Sequence, residues 1–181
     1  MKIIREHTGL TALVLSVLIA SGLSQATLAA GSHDGGHGAR TGYEGERSNV
    51  SRTINVDMYD NYFEPKSMNL KEGETVLFVV TNKGEFVHEF NIATAEMHAA
   101  HETEMMQMME KGILEVDRIN HSMMGHGNHG MRHDHANSVL LEPGETGEVI
   151  WTFDTHAKLE FACNVPGHYG SGMVGKIKLS H

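Results

Sequence analysis

The sequence predicts an all-β protein, an antiparallel β-sandwich that carries a helical insert. Apolar and polar residues alternate over 54–58 with the period of two that a half-buried strand shows. Turns rich in charge, Gly and Pro follow at 71–74 and 142–145, and short strands divided by such turns are typical of a sandwich. The insert is the block 93–137, whose composition differs from that of the strands on either side.

The composition bounds the partners and the number of domains. A chain of 181 residues suits one domain that buries a sandwich core. It has 23 acidic against 14 basic residues and no basic stripe, which argues against a nucleic-acid partner. The single cysteine excludes an internal disulfide, while 12 methionines and 14 histidines are abnormally many.

The first thirty residues have the three parts of a secretory signal. Lys2 and Arg5 precede an apolar stretch over 8–23, and small residues follow over 24–30. The alternative is a membrane anchor, but the apolar stretch is shorter than the roughly 20 residues that a spanning helix needs. We therefore expect residues 1–30 to be a signal peptide and the mature protein to be exported, with no membrane segment after signal removal.

The rest of the chain divides into a leader and one domain. Residues 31–51 are rich in Gly, Ser and charge, so we expect a flexible leader. The domain then covers 52–181. Its predicted strands are 54–58, 67–70, 75–80, 86–92, 149–153, 158–163 and 173–179.

The insert is expected to contain helix and loop. Residues 95–111 are good helix formers and end at Gly112, and a weaker helix is expected over 115–124. The His/Gly tract over 125–137 should be loop. We expect deletion of residues 97–135 to leave the copper spectrum of Cys163 nearly intact.

Four side chains of the domain have the chemistry of metal ligands. Cys163 and Met173 fall on inward-facing positions of two strands, and His168 lies on the Pro-Gly loop between them. Far upstream, His88 shares a strand face with Phe86, Phe90 and Ile92, whereas Glu89 is expected to lie outside.

Together the four side chains form the donor set of a type 1 copper site. One thiolate with two imidazoles and a weak axial thioether is typical of electron-transfer copper. Separately, each residue has a plainer interpretation as core packing or surface loop, and Cys with two His also suits zinc. Met173 favours the softer metal, so we predict copper, Cu(I) or Cu(II), at His88, Cys163, His168 and Met173.

The same residues resemble the cupredoxin family. The run Cys163-Asn164-Val165-Pro166-Gly167-His168 with Met173 is similar to the ligand loop of cupredoxins, and its spacing is closer to azurin than to plastocyanin. Gly84 and His88-Glu89-Phe90 resemble the family's first ligand region. The resemblance covers roughly 52–92 and 138–181 and implies a Greek-key sandwich with a type 1 site. Many cupredoxins have Asn after the first His ligand, to brace the ligand loop, whereas this chain has Glu89.

The insert makes the chain similar to the periplasmic copper-tolerance cupredoxins of bacteria. This resemblance implies a periplasmic location and a role in copper tolerance, with a simple periplasmic electron carrier as the alternative. Either role implies a redox partner that docks near His168. An enzyme is disfavoured, because copper oxidases need histidines flanking the cysteine, and Ala162 and Asn164 stand there.

The insert also offers candidate secondary copper ligands. Met97, His101, Met105 and Met108 would share one helix face. The alternative, open for Met97 to Met109, is that these methionines pack the helix against the sandwich. The full set of candidates is Met97, His98, His101, Met105, Met108, His121, Met123, Met124, His126, His129, Met131, His133 and His135.

Overall fold

The computed structural model describes residues 41–123, 135–154 and 156–180. The predicted signal peptide, the leader before Thr41 and the tract 124–134 lie outside the described residues. In the described part, two five-stranded sheets enclose one apolar core and a single helix lies beside them. The predicted all-β sandwich with a helical insert is confirmed.

The strands are numbered in chain order. The first sheet has the order β1 (Tyr43–Glu44), β8 (Thr146–Thr152), β5 (Thr75–Asn82), β2 (Arg52–Tyr59) and β3 (Tyr62–Glu64). The second sheet has the order β4 (Ser67–Lys71), β10 (Val174–Ser180), β9 (Glu160–Ala162), β6 (His88–Ala93) and β7 (Ser138–Leu141).

The sheets are mixed, which corrects the expectation of a wholly antiparallel sandwich. Strand β2 runs parallel to β5, with Val56 opposite Val80, and β4 runs parallel to β10, with Met68 opposite Ile177. Strands β4 and β10 are distant in the chain, and β3 and β4 lie between β2 and β5. The turns in the sequence therefore did not indicate either parallel pair. The other strand pairs are antiparallel.

The end of the predicted leader is part of the fold. Residues 43–44 form β1 on the edge of the first sheet, and a 3₁₀ turn follows over Arg47–Asn49. Thr41 is buried, and its carbonyl oxygen accepts a 3.0 Å hydrogen bond from the indole Nε1 of Trp151. The expectation of a flexible leader is therefore wrong over 41–51, because pairing with β8 satisfies backbone groups that composition alone left unassigned.

Aromatic side chains from both sheets meet in the core. The five fully buried ones are Phe63, Phe78, Phe90, Phe153 and Phe161. Phe161 contacts Phe63 edge-on, with ring centroids 5.1 Å apart, and Phe90 at 5.6 Å. This packing fixes β9 against β6. It therefore positions Cys163, which follows β9, relative to His88, the first residue of β6.

The insert begins with the predicted helix. Helix α1 spans Ala95–Glu110, and the side chain of Thr94 caps it by accepting a hydrogen bond from the Met97 amide. Gly112, with φ of 68°, ends it. The weaker helix expected over 115–124 is wrong: the described residues form turns there, with an isolated bridge between Leu114 and Ile119.

Helix α1 packs against the sandwich. Met105 and Met108 are fully buried members of the common core, together with Ile113, Leu114 and Ile119. For these two methionines, the packing alternative describes the structure. Met97 is 42% exposed, so it does not share their environment as the predicted helix face required.

Candidate metal centre

Three of the four predicted ligands converge at one end of the sandwich. Cys163 follows β9, His88 begins β6, and His168 lies on the loop that leads into β10. The Sγ atom of Cys163 is 3.3 Å from Nδ1 of His168 and 3.8 Å from Nδ1 of His88, and the two Nδ1 atoms are 3.2 Å apart. Cys163 and His88 are buried, whereas His168 is half-buried.

The loop between Cys163 and Met173 is closed by its own backbone. The Met173 amide donates to the His168 carbonyl at 3.1 Å, and the Cys163 amide donates to the Met173 carbonyl at 3.2 Å. Gly167 and Gly172 take φ of 89° and 97°, the left-handed region that favours glycine. Met173 is fully buried directly before β10, and its backbone is bonded to that of Cys163. The loop therefore brings a thioether residue to the same end as the other three.

Burial favours the neutral form of both imidazoles, and it makes ionisation of the Cys163 thiol depend on a nearby cation. Burial raises the pKa of Cys163 to about 12, against two backbone hydrogen bonds that lower it. Burial lowers the pKa of His88 below its ordinary value, and it also lowers the pKa of His168, with help from His88. Two imidazoles that resist protonation are ready to donate lone pairs, and a metal ion would supply the charge that turns the buried thiol into a thiolate.

The three donor atoms fit a trigonal metal ion. Metal–nitrogen and metal–sulfur bonds of about 2.0 and 2.3 Å in a trigonal plane place nitrogens roughly 3.5 Å apart and nitrogen roughly 3.7 Å from sulfur. The observed separations of 3.2 to 3.8 Å match those edges. The softness of the set, with one thiolate and a neighbouring methionine, suits copper.

Asp60 lies against the predicted ligand His88, a contact that the sequence did not indicate. It lies in the turn between β2 and β3, and its Oδ1 is 3.1 Å from Nε2 of His88. Burial alone would raise the pKa of Asp60, but hydrogen bonds from His88 and from the Glu85 amide lower it, so the carboxylate is charged. A metal-binding histidine commonly donates its other ring N–H to a carboxylate, which fixes its tautomer. Asp60 has that position.

Asp60→Asn should therefore weaken copper binding without unfolding the protein. Asparagine keeps an oxygen for the Glu85 amide but loses the charge that orients His88, and such a loss costs about 10- to 100-fold in metal affinity. The measurement is a competition titration of copper against a chelator. Asp57→Asn, a change of the same type three residues earlier on β2, is the control and should bind like the wild type. Equal affinity of the two variants would contradict the role of Asp60.

Gly84 explains how Asp60 can approach His88. A Cβ at position 84 would lie 2.2 Å from Oδ1 of Asp60 and 2.8 Å from Nε2 of His88. No side chain fits there without moving the carboxylate or the imidazole. Gly84 is thus required by the site itself, which accounts for its place four residues before His88.

Glu89 is buried, which corrects the expectation that it lies outside. Helix α1 covers this face of β6, and Glu89 is 0% exposed. Its amide donates to Sγ of Cys163 at 3.3 Å, and its Oε2 accepts the Asn164 amide at 3.2 Å. Glu89 thereby braces the ligand loop from the position where many cupredoxins have Asn. Phe86, expected on the inner face with His88, is instead 39% exposed before β6 begins.

His98 of the insert also holds the ligand loop. It is fully buried, and its Nδ1 lies 2.8 Å from Oδ1 of Asn164, whose Nδ2 donates back to the His98 carbonyl at 3.1 Å. His98 was predicted as a secondary copper ligand, but its Nδ1 is engaged by the residue next to Cys163. The structure places it as a support of the ligand loop.

The remaining insert candidates fall into separate groups. His101 and His135 lie together with Glu104. Met97, His121 and Met123 are exposed, and Met105 and Met108 are in the core. The candidates outside the described residues are Met124, His126, His129, Met131 and His133.

Comparison with known proteins defines the class. The family model of copper-binding proteins of the plastocyanin/azurin family matches residues 50–180. The match covers strands β2 to β10 and includes all four predicted ligands. The chain belongs to this family, and copper is its cofactor.

Curated relatives are more specific. The chain is 45% identical over 150 residues to the copper-resistant cuproprotein CopI of Pseudomonas aeruginosa, a match covering 78% of this chain and 83% of the relative. It is 34% identical over 151 residues to CopI of Rubrivivax gelatinosus, covering 82% and 78%.

Solved structures agree on the fold. Auracyanin B aligns with a TM-score of 0.54 and 18% identity, over 80% of this chain and 97% of that one. Dithionite-reduced auracyanin of Roseiflexus castenholzii gives 0.53 and 18%, over 73% and 99%. At such identity the likeness concerns the sandwich alone.

Proposed function

We propose that this protein is an exported copper-tolerance cupredoxin that holds one type 1 copper through His88, Cys163, His168 and Met173. The observation that carries the proposal is the triangle of one buried thiol and two imidazoles at 3.2 to 3.8 Å. The similarity to CopI proteins, named as copper-resistant cuproproteins, supports the tolerance role.

Copper bound there supplies a one-electron couple between Cu(I) and Cu(II). The protein's own residues keep the donors in place for both states: the Phe63, Phe90 and Phe161 packing holds the strands, and Glu89 and Asn164 hold the loop. Asp60 fixes the orientation of His88. A site braced from three sides changes little between oxidation states, which is what fast electron transfer requires.

A redox partner would dock near His168. His168 is half-buried, whereas Cys163 and His88 are enclosed, so its imidazole is the route from the site towards the surface. This exposure is the observation that favours the second candidate, a simple periplasmic electron carrier. The two roles share the same site and differ in what the insert does.

Localisation and chemistry complete the proposal. The signal-like residues 1–30 support export to the periplasm, and none of the helices in the described ranges has the length and apolar character to cross a membrane. The absence of histidines flanking Cys163 supports a copper-holding role over catalysis.

A growth assay tests the tolerance role. A bacterial host deleted for its own copper-tolerance cupredoxin should regain growth in high copper when it carries the wild-type chain. The Cys163→Ser chain should not restore it, because the central thiolate is gone. Exported levels of both proteins are compared by blotting. Full rescue by Cys163→Ser, or no rescue by either chain at equal levels, would contradict the proposal.

A further inference from the structure

A second group of potential ligands lies in the insert, apart from the Cys163 site. His101 and Glu104 are one helical turn apart on α1, and His135 comes from the other end of the insert, just before β7. One ligand atom from each lies within 4.8 Å of the other two. We name His101, Glu104 and His135 the insert cluster.

We propose that the insert cluster is a second metal site, which binds a divalent ion, Cu(II) in this protein. Oε2 of Glu104 is 3.1 Å from Nδ1 of His101 and 3.4 Å from Nε2 of His135. The two imidazole rings are perpendicular, with centroids 5.4 Å apart. All three side chains are between 10% and 28% exposed, so an ion would be sheltered yet reachable from solvent.

Glu89 prepares His101 for such a role. Oε1 of Glu89 is 3.0 Å from Nε2 of His101 on the side of the ring away from Glu104. When that nitrogen donates its proton to the buried carboxylate, the lone pair of Nδ1 is directed at Glu104 and His135. A carboxylate behind the imidazole is the arrangement that orients metal-binding histidines in general.

Charge favours a cation at this position. Glu89 and Glu104 both contact His101, with one carboxylate oxygen 3.0 Å from Nε2 and the other 3.1 Å from Nδ1. Two carboxylates beside one imidazole favour a positive charge there, and so favour a metal ion. Nitrogen and carboxylate donors suit Cu(II), whereas Cu(I) prefers sulfur. The core methionines Met105 and Met108 are not among the cluster's donors.

Glu89 also connects the two sites. One of its carboxylate oxygens contacts His101, the other accepts the Asn164 amide, and its own amide donates to Sγ of Cys163. A cation bound to His101 would attract electron density from the Glu89 carboxylate through the hydrogen bond between the two residues. We therefore expect occupancy of the cluster to shift the absorption band of the Cys163 copper.

This inference takes its choice of metal from the proposed function, and the test separates the two. Full-length protein already loaded at Cys163 is titrated with Cu(II) and followed by electron paramagnetic resonance and by visible absorption. The wild type should take up a further equivalent with a nitrogen–oxygen signal, and the Cys163 band should move as it binds.

Variants identify the ligands. His135→Ala and Glu104→Gln should weaken that equivalent by more than about 100-fold, since even loss of an outer partner costs roughly 10- to 100-fold. The matched control is His121→Ala, which removes another insert histidine 3.4 Å from a glutamate, Glu142, but 68% exposed. It should bind like the wild type. Thermal unfolding of each variant checks the fold.

Three results would overturn the inference. They are wild-type binding in both His135→Ala and Glu104→Gln, an equal loss in His121→Ala, and no further nitrogen–oxygen equivalent in the wild type. The same titration in Cys163→Ser separates the proposals, because the cluster should still bind Cu(II) there. Binding at the cluster with none at Cys163 in the wild type would leave this site standing and remove the type 1 assignment.

Discussion

Cys163→Ser is expected to abolish the intense visible absorption of the copper-loaded protein while the sandwich remains folded. Only a thiolate supplies a strong charge-transfer band to Cu(II), and the chain has a single cysteine. Serine is close in size to cysteine, so the enclosed position can accept it. Loss of the thiol should also reduce copper affinity by orders of magnitude.

The measurement is an absorption spectrum of protein reconstituted with Cu(II), beside circular dichroism for the fold. Ser171→Ala is a suitable control, because Ser171 is on the same loop, is exposed, and its hydroxyl donates to the backbone carbonyl of His168. It should keep the band. A Cys163→Ser protein that retained the band would show that another residue provides the chromophore.

Met105→Ala is expected to destabilise the whole domain, because the insert helix shares the core of the sandwich. Met105 is 0% exposed, and truncation of a buried methionine costs about 2–5 kcal/mol in the free energy of unfolding. Its neighbour Met106 is 45% exposed on the same helix, so Met106→Ala should change stability by no more than about 0.5 kcal/mol. Chemical denaturation of the two variants provides the comparison.

The same pair of variants tests whether the helix supports the metal centre. If α1 packs as described, Met105→Ala should also loosen His98 and His101 and lower copper affinity, while Met106→Ala should not. Equal and small effects of the two substitutions would mean that the helix is independent of the sandwich core.

Much of the centre could be predicted because its residues obey local rules. Alternation along 159–163 puts Cys163 on the inner face, the Pro-Gly bend places His168 beyond it, and period two does the same for His88. The structure brings these three together, though ligation itself stays a proposal. The pattern needed no knowledge of how the strands pair.

The groups around the centre could not be predicted in the same way. Asp60 reaches His88 across 28 positions of sequence, through a turn whose direction depends on the pairing of β2 with β3. Glu89 occupies an outward position of its strand, and only the packing of α1 over that face buries it. A charged residue at an outward position of a strand normally faces solvent, but at Glu89 that face of the strand is covered by the helix.

The insert shows the same limit. Its composition predicted α1 correctly, but a stripe of methionines and histidines does not say which residues face inward. Tertiary packing placed Met105 and Met108 in the core and His98 against Asn164, and left Met97 exposed. Helix propensity does not determine which face of α1 turns towards the sandwich, because that depends on the shape of the surface against which the helix packs.

Metal analysis of the exported wild-type protein, taken beside its visible spectrum, tests the central claim most directly. The account predicts copper with a strong thiolate-to-copper band equivalent to one type 1 site per chain, and any further copper should add no such band. Zinc in place of copper, or copper without that band, would contradict a centre built on Cys163, His88 and His168.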